Sequence, residues 1–391
     1  IRQLRLMCGL NQIEFAKRVG IANGSVSKLE NGRMALTDEL IVAIAQVVDC
    51  SPEFLQIGLP TVPTSRPMLR AYADAPKRAV DQQMAHCTTV AEIVEILQLR
   101  TIADTIPPFD GDPLDDHAID RFALEVRAAA QLDEGDVVGN CIRAAERLGC
   151  IVLPMNDVLG RHLGLSTRAN LAPFICVSRP SFDPGRHVPG DRQRFTVAHE
   201  IGHLAMHSGT GPPQTSEEAR RVERQANLFA SAFLAPGDAV IEDLREYGGR
   251  VTLKTLARIK EHWGIAIKAL VMRFQSLNVI DQHQARSLYK QISARGWNKE
   301  EPVTVGNEEA VWLTRAVQQW SSGGQDWLQE AADASGIGRS YIERWTKWSP
   351  TGQSGEVGQL VDLTGRARRT PHPSTNELGT VRSLPAHRPD C

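Results

Sequence analysis

The chain has no window near the roughly 18 uninterrupted apolar residues that a membrane helix requires. Its best stretch, Ile41 to Val48, is broken by Gln46, so no membrane association is expected. There is no charged segment followed by an apolar one at the start, so nothing points to export and a soluble cytoplasmic protein is expected. The seven cysteines include no CxxC pair. That removes a cysteine-based zinc knuckle and reads as free thiols in a reducing compartment. An excess of either charge is also missing: 44 Lys+Arg stand against 46 Asp+Glu, a formal net charge of -2. A chain basic throughout is excluded, and any nucleic-acid contact must come from a local patch. No internal repeat is evident.

What is present is length. The 391 residues exceed what one core usually organises, and two or three domains are expected. Residues 1–59 read as short helices around a small apolar core, and Ile1 already stands inside a helical pattern, so a preceding turn is expected. Residues 60–113 read as a linker, turn-rich from Pro60 to Pro67, with a helical connector from Ala71 to Ile106 and a second break at PPFDGDP. In 114–302, helices are expected over Asp115 to Gln131, Val137 to Leu148, Arg192 to His207 and Ser216 to Ala235, with two more between Thr252 and Leu277. A helix follows around Asp281 to Arg295, and Cys150 to Leu153 with Phe174 to Val177 suggest a small sheet. Residues 303–348 form a helical segment (Glu308 to Trp320, Asp326 to Trp345). Residues 349–391, dense in Pro, Gly, Ser, Thr and Arg, read as a disordered tail.

Near the N-terminus, Gln12 to Val19 predicts a helix, Gly20-Ile21-Ala22 a tight turn, and Asn23 to Asn31 a second helix closed by Gly32. In helix-turn-helix logic the second helix enters the major groove. Val26 and Leu29 face inward, leaving Asn23, Ser25, Ser27 and Lys28 outside as donors and acceptors for base edges and phosphates. From Ile1 to Arg33 six bases (Arg2, Arg5, Lys17, Arg18, Lys28, Arg33) oppose Glu14 and Glu30. The bland alternative is a small helical bundle that contacts protein. The string NQIEFAKRVGIANGSVSKLENG resembles the XRE (Cro/C1-type) helix-turn-helix family. The resemblance implies that Gln12, Asn23, Gly24, Ser25 and Lys28 lie at a double-stranded DNA operator, and that Glu30 and Gly32 are structural.

A second motif lies at His199-Glu200-Ile201-Gly202-His203. A spacing of four puts both imidazoles on one helix face, within reach of one tetrahedral Zn2+. Phe195, Ala198, Ile201, Leu204 and Ala205 give that helix an apolar side, and Gly202 permits a close neighbour. A third ligand must come from elsewhere. Glu223 is preferred over Glu217 and Glu218 because its phase shares a face with Asn227, which can hydrogen-bond a ligand imidazole. Three ligands and one open position make a catalytic arrangement, and Glu200, which need not ligate, can act as general base. His207 extends the row about 6 Å further along the helix, as an end cap or a support behind the ligands. His187 and His262 read as surface or packing residues able at most to assist an oxyanion. The bland alternative is a buried polar pair within a packed helix.

RQRFTVAHEIGHLAMH followed by VERQANLFASAFLAP resembles the ImmA/IrrE metallopeptidases. LKTLARIKEHWGIAIKALVMRFQSLNVI and RGWNKEEPV are similar to the helical extension of that family's regulators. The resemblance spans about Asp120 to Pro302. It implies a gluzincin-like zinc site with His199, His203 and Glu223 as ligands and Glu200 as base, although no oxyanion donor is identifiable. The expected fold is mainly α. It has a helix-turn-helix bundle, an α+β zincin-like domain with a small sheet, a helical C-terminal extension and a disordered tail. The expected function is a DNA-binding regulator whose peptidase cleaves a partner repressor or itself, in stress or mobile-element control. The alternative is a non-catalytic repressor or antitoxin of a toxin–antitoxin locus that uses the peptidase fold as sensor or interaction surface. Expected partners are operator DNA and a protein substrate, cognate repressor or toxin, with homodimerisation left open.

Overall fold

The computed structural model describes residues 1–56, 64, 76–155, 162–181, 187–209, 211 and 213–348, and the backbone of 360–361. Apart from Thr64 and that backbone pair, the expected linker at Pro60 to Pro67 and the expected disordered tail lie outside the described residues. The chain opens with α1 (Arg2–Met7), α2 (Gln12–Val19), α3 (Asn23–Glu30) and α4 (Asp38–Val48). Asn11 starts α2 through a reciprocal capping box with Glu14, and Gly20 ends it at φ 81°, a left-handed conformation that suits a residue without a β-carbon. Thr37 caps α4. Phe15, Ala16, Val19, Val26, Leu29 and Ile44 fill the centre of this bundle.

Among the described residues of the connector predicted from Ala71 to Ile106 there is one helix, α5 (Lys77–Ile96). Arg78 donates to the Gly9 carbonyl at 2.5 Å, Gln82 to that of Met7 at 3.0 Å, and Gln3 to Thr89 and Glu92 at 2.8 Å each. The bundle is therefore fixed along α5. Next come α6 (Asp116–Ala129) and α7 (Cys141–Arg147), then the strands β1 (Ile151–Met155), β2 (Gly164–Ala169) and β3 (Ala172–Ser178). The strand order is β1-β3-β2, with β1 parallel and β2 antiparallel to β3, Ile151 opposite Phe174 and Ser166 opposite Ile175. Asn170 and Leu171, at φ 49° and 67°, make the two-residue hairpin turn between β2 and β3. Sequence reading found β1 and β3 as apolar runs and passed over β2, whose GLSTRA reads as polar loop.

Both faces of this sheet are buried, which is why its strands lack clean alternation. Val152, Ile175 and Val177 enter a helical core below. Ile151, Leu153, Phe174 and Cys176 enter a second core shared with the N-terminal bundle and α5. The helical core is built by α8 (Gly190–Met206), α9 (Ser216–Leu234), α10 (Gly237–Glu246), α11 (Leu253–Trp263), α12 (Ile267–Ser276) and α13 (Gln282–Ala294). Thr215 with Glu218, Thr252, and Asp281 with Gln284 cap three of their starts. After β4 (Thr304–Val305) come α14 (Trp312–Trp320), α15 (Trp327–Ser335), α16 (Arg339–Thr346) and β5 (Leu360–Val361), which pairs in parallel with β4. The stretch read as one helix from Asp326 to Trp345 is two, parted at Gly336, φ 74°. Leu313, Ala331, Ile337, Ile342 and Trp345 join the second core. Among the described residues no helix is long and apolar enough to cross a membrane.

Candidate metal centre and DNA-reading face

Helix α8 is pinned at its first turn before it reaches the site. Asp191 takes Lys260 Nζ at 2.6 Å, and Lys260 also binds Glu301 at 2.6 Å. Arg194 pairs with Glu308, and the Gln193 side chain accepts from the Glu308 amide at 2.7 Å. Removing one partner from such buried pairs costs about 3–5 kcal/mol, because the other is left charged and dry. The apolar side of α8 (Val197, Ala198, Ile201, Leu204) sinks into the helical core. The opposite side carries His199 and His203 towards Glu223 of α9 and Glu200 towards β2. Gly202 sets the approach: a β-carbon there would lie 2.8 Å from Phe229 Cδ1, so the helices meet closely only with glycine.

That approach brings Glu223 to the histidines. His199 Nε2 and His203 Nε2 are 2.9 Å apart, and each lies 3.6 Å from a Glu223 carboxylate oxygen. Their hydrogen-bond partners settle which nitrogens are free. Asn227 Oδ1 can only accept, so His199 Nδ1 donates to it at 3.0 Å and Nε2 keeps its lone pair. For His203 the chain is longer. Gln225 Nε2 donates to the Pro113 carbonyl at 2.7 Å, so Gln225 Oε1 faces His207 and takes the proton of His207 Nε2 at 3.1 Å. His207 Nδ1 is then an acceptor, and His203 Nδ1 donates to it at 3.0 Å. His203 Nε2 is left with a lone pair aimed at that of His199.

Two imidazole lone pairs at this separation repel unless a cation lies between them. Tetrahedral Zn–N bonds of 2.0–2.1 Å put two ligand nitrogens ~3.3 Å apart, close to the observed spacing, and two imidazoles with a carboxylate suit zinc better than magnesium or calcium. His199, His203 and Glu223 thus form a group able to hold a metal ion. Burial pushes the His199 and His203 imidazoles down to about 3, with the neighbouring imidazole adding to it, so both are neutral and ready to ligate at neutral pH. Burial also lowers His207.

Glu200 stays outside the ligand set. Ser166 Oγ on β2 donates to its Oε2 at 2.6 Å. Burial pushes the Glu200 carboxyl up to about 8, the Ser166 bond opposes this, and the charge of Glu223 adds to it. Gly164 permits the contact, since a β-carbon there would sit 2.4 Å from Thr196 Cγ2 and 3.0 Å from Glu200 Oε1. Of the rival acids, Glu218 closes the cap of α9 and Glu217 is exposed. His187 contacts the Ser181 carbonyl at 3.0 Å, and His262 pairs with Asp243. Ser166, Gln225 and Pro113 were not singled out from sequence. The first lies in the unread strand, and the other two act through partners distant in the chain.

In the N-terminal bundle, Asn23, Gly24, Ser27 and Lys28 are exposed on α3 and Ser25 is half-buried, while Val26 and Leu29 point inward. Gln12 is exposed, with its side chain held by Glu30 at 2.8 Å. Arg5 is buried and paired with Glu30, so it adds nothing to the surface field. Arg2, Lys17, Arg18, Lys28 and Arg33 are exposed and keep the patch positive.

These two sites define a helix-turn-helix unit joined to a domain with a histidine–glutamate cluster able to hold a metal ion. The family models make the description specific: residues 1–55 match the Helix-turn-helix family, and residues 145–275 match the IrrE N-terminal-like domain. The chain thus carries an XRE-type DNA-binding unit and a metallopeptidase-family domain in one polypeptide. No curated protein and no solved structure matches it.

Proposed function

We propose that this chain is a cytoplasmic, DNA-tethered zinc peptidase that controls transcription by limited cleavage of a partner repressor or of itself. The observation that carries the reading is the state of Glu200: buried beside the His199–His203–Glu223 group, free of ligation, and anchored by Ser166 through one oxygen only. A purely structural metal site has no use for such a carboxylate.

His199 Nε2, His203 Nε2 and Glu223 would hold the zinc, and Asn227 and His207 orient the imidazoles. When bound, the ion supplies Lewis-acid polarisation of the scissile carbonyl and of water. With the charge of the cation offsetting the burial that raises its carboxyl, Glu200 would take the proton of the attacking water at Oε1 and return it to the leaving amine as the C–N bond breaks. Ser166 holds Oε2 so that the proton-carrying oxygen keeps one direction. On the DNA side, Asn23, Gly24, Ser25, Ser27 and Lys28 face the major groove, Gln12 stands at the start of the helix that crosses the backbone, and Lys28 supplies a phosphate or base contact.

The test compares zinc-loaded protein with Glu200→Gln, alone and with candidate repressors from neighbouring genes. Cleavage by the first and none by the second is expected. Equal cleavage, or none in either while operator binding persists, would leave a repressor or antitoxin that uses this domain as a sensor.

A further inference from the structure

The C-terminal helices repeat the N-terminal reader. Ala16, Gly20, Ile21, Val26 and Leu29 have counterparts at the same spacing in Ala332, Gly336, Ile337, Ile342 and Trp345. Helices α2 and α3 are parted by Gly20-Ile21-Ala22, and α15 and α16 by Gly336-Ile337-Gly338. Both turns open on a left-handed glycine, at φ 81° and 74°. The buried phase is the same: Ala16 and Ala332, Val26 and Ile342, Leu29 and Trp345 are all inside. The expectation of no internal repeat is corrected here. The two copies share their hydrophobic phase and turn but little of their surface, and only the surface differs enough to hide the match.

The register assigns the surface of α16. Arg339, Glu343, Arg344 and Lys347 occupy the places of Asn23, Ser27, Lys28 and Asn31, and none of them is buried; Ser340, at the place of Gly24, is turned to Asp49, whose carboxylate accepts its hydroxyl at 2.5 Å. Three bases against two acids, Glu343 on the helix and Asp49 at its start, leave this face one positive charge, although Asp326, Glu330 and Asp333 around α15 hide it in the local sum. Arg339 is paired with Asp326, and Lys347 with Glu343 at 3.2 Å, all on exposed side chains. Such surface pairs are worth at most about 1 kcal/mol, so a phosphate can displace the carboxylates.

We propose that α15–turn–α16 is a second DNA-reading helix-turn-helix, with double-stranded DNA as its ligand. It is bolted to the first copy. The Ser51 amide donates to the Gly336 carbonyl and the Gly338 amide to that of Asp49, each at 2.7 Å, while Cys50 bridges Ile337. Tyr341 Oη lies 3.1 Å from Cys8 Sγ. The turn of the second copy is thus joined to the end of α4, and the two reading helices keep one spacing. A single chain then reads a composite operator longer than one helix-turn-helix covers.

The test uses the full chain and the duplex it selects from a random pool. Binding is followed against salt, with footprinting, for wild type, Asn23→Ala/Lys28→Ala, and Arg339→Ala/Arg344→Ala/Lys347→Ala. The triple variant is expected to flatten the salt slope by about 2–3, at about 0.9 per lost phosphate contact, and to shorten the footprint at one end only. Lys347→Gln, a change at an exposed position that sets no like charge beside Glu343, is expected to weaken binding in the same direction with its unfolding midpoint little changed. Slope and footprint unaltered in both variants would overturn the second reader and leave the first standing, with the α16 face then assigned to a protein partner. Binding lost only in the α16 variants would instead remove the DNA role of α3 and keep that of α16. No selected duplex at all would overturn both.

Discussion

Replacing Gln225 by Ala tests whether the hydrogen-bond chain behind the ligands sets metal affinity. Gln225 touches no candidate ligand. Its side chain joins the Pro113 carbonyl to His207 Nε2 at 2.7 and 3.1 Å, and His207 reaches His203 at 3.0 Å. Without it, His207 Nε2–H loses the bond to Gln225 Oε1, and a buried hydrogen bond lost in this way costs about 1–3 kcal/mol. The imidazole escapes that cost by moving its proton to Nδ1. It then donates to His203 Nδ1 and drives the His203 proton onto Nε2, the nitrogen needed for the ion. Groups behind metal ligands are typically worth 10–100-fold in affinity, or about 1.4–2.8 kcal/mol at 1.4 per tenfold. A zinc titration against a chromogenic chelator is therefore expected to show Gln225→Ala binding 10–100-fold more weakly. Gln225→Glu keeps both bonds only with its carboxyl protonated on the oxygen facing the Pro113 carbonyl, and is expected to bind zinc more tightly than Gln225→Ala. Tryptophan fluorescence of the zinc-free proteins checks that both variants are folded. Wild-type affinity in a folded Gln225→Ala would refute the assignment of tautomers and the role given to His207.

Gly202→Ala is expected to push α9 away from α8, because its new β-carbon meets Phe229 at 2.8 Å. Overpacking of this kind costs about 1–3 kcal/mol, readable by urea unfolding, with weaker zinc binding as Glu223 retreats. His86 is buried, its Nδ1 accepting from Trp345 Nε1 at 3.1 Å, and burial pushes it down to about 3. The unfolded chain binds this proton near pH 6.5 and the folded one does not. The stability it contributes is thus complete above 6.5 and lost as pH falls towards 3. In metal-free protein, His86→Phe is expected to lower stability at pH 7.5 yet flatten the acid decline, and an unchanged slope in acid unfolding would contradict this. Lys28→Ala is expected to reduce the salt dependence of operator binding by about one phosphate contact, with an unchanged slope placing Lys28 off the DNA.

Residues on one helix were legible in the sequence because helical periodicity is local. His199, Glu200 and His203 follow from a spacing of four, Glu223 and Asn227 from their common face on α9, and Val26 and Leu29 from the inward phase of α3. The helix-turn-helix and the two apolar strands were readable for the same reason. Tertiary structure alone decided what comes from distant segments. Ser166 reaches Glu200 from a strand whose polar side chains look like loop until a carboxylate is placed against them. Pro113 and Gln225 fix the His203 proton only because α9 and the loop before α6 meet behind it. Arg5, counted among the surface bases by composition, is spent on Glu30 in the interior. The second helix-turn-helix shares with the first a buried phase and a left-handed turn. Many substitutions preserve that phase, so its repetition becomes visible only when the two folds and their exposed faces are laid side by side. Local spacing determined which groups could act, and long-range packing determined which of them meet, which carry a proton and which face outward.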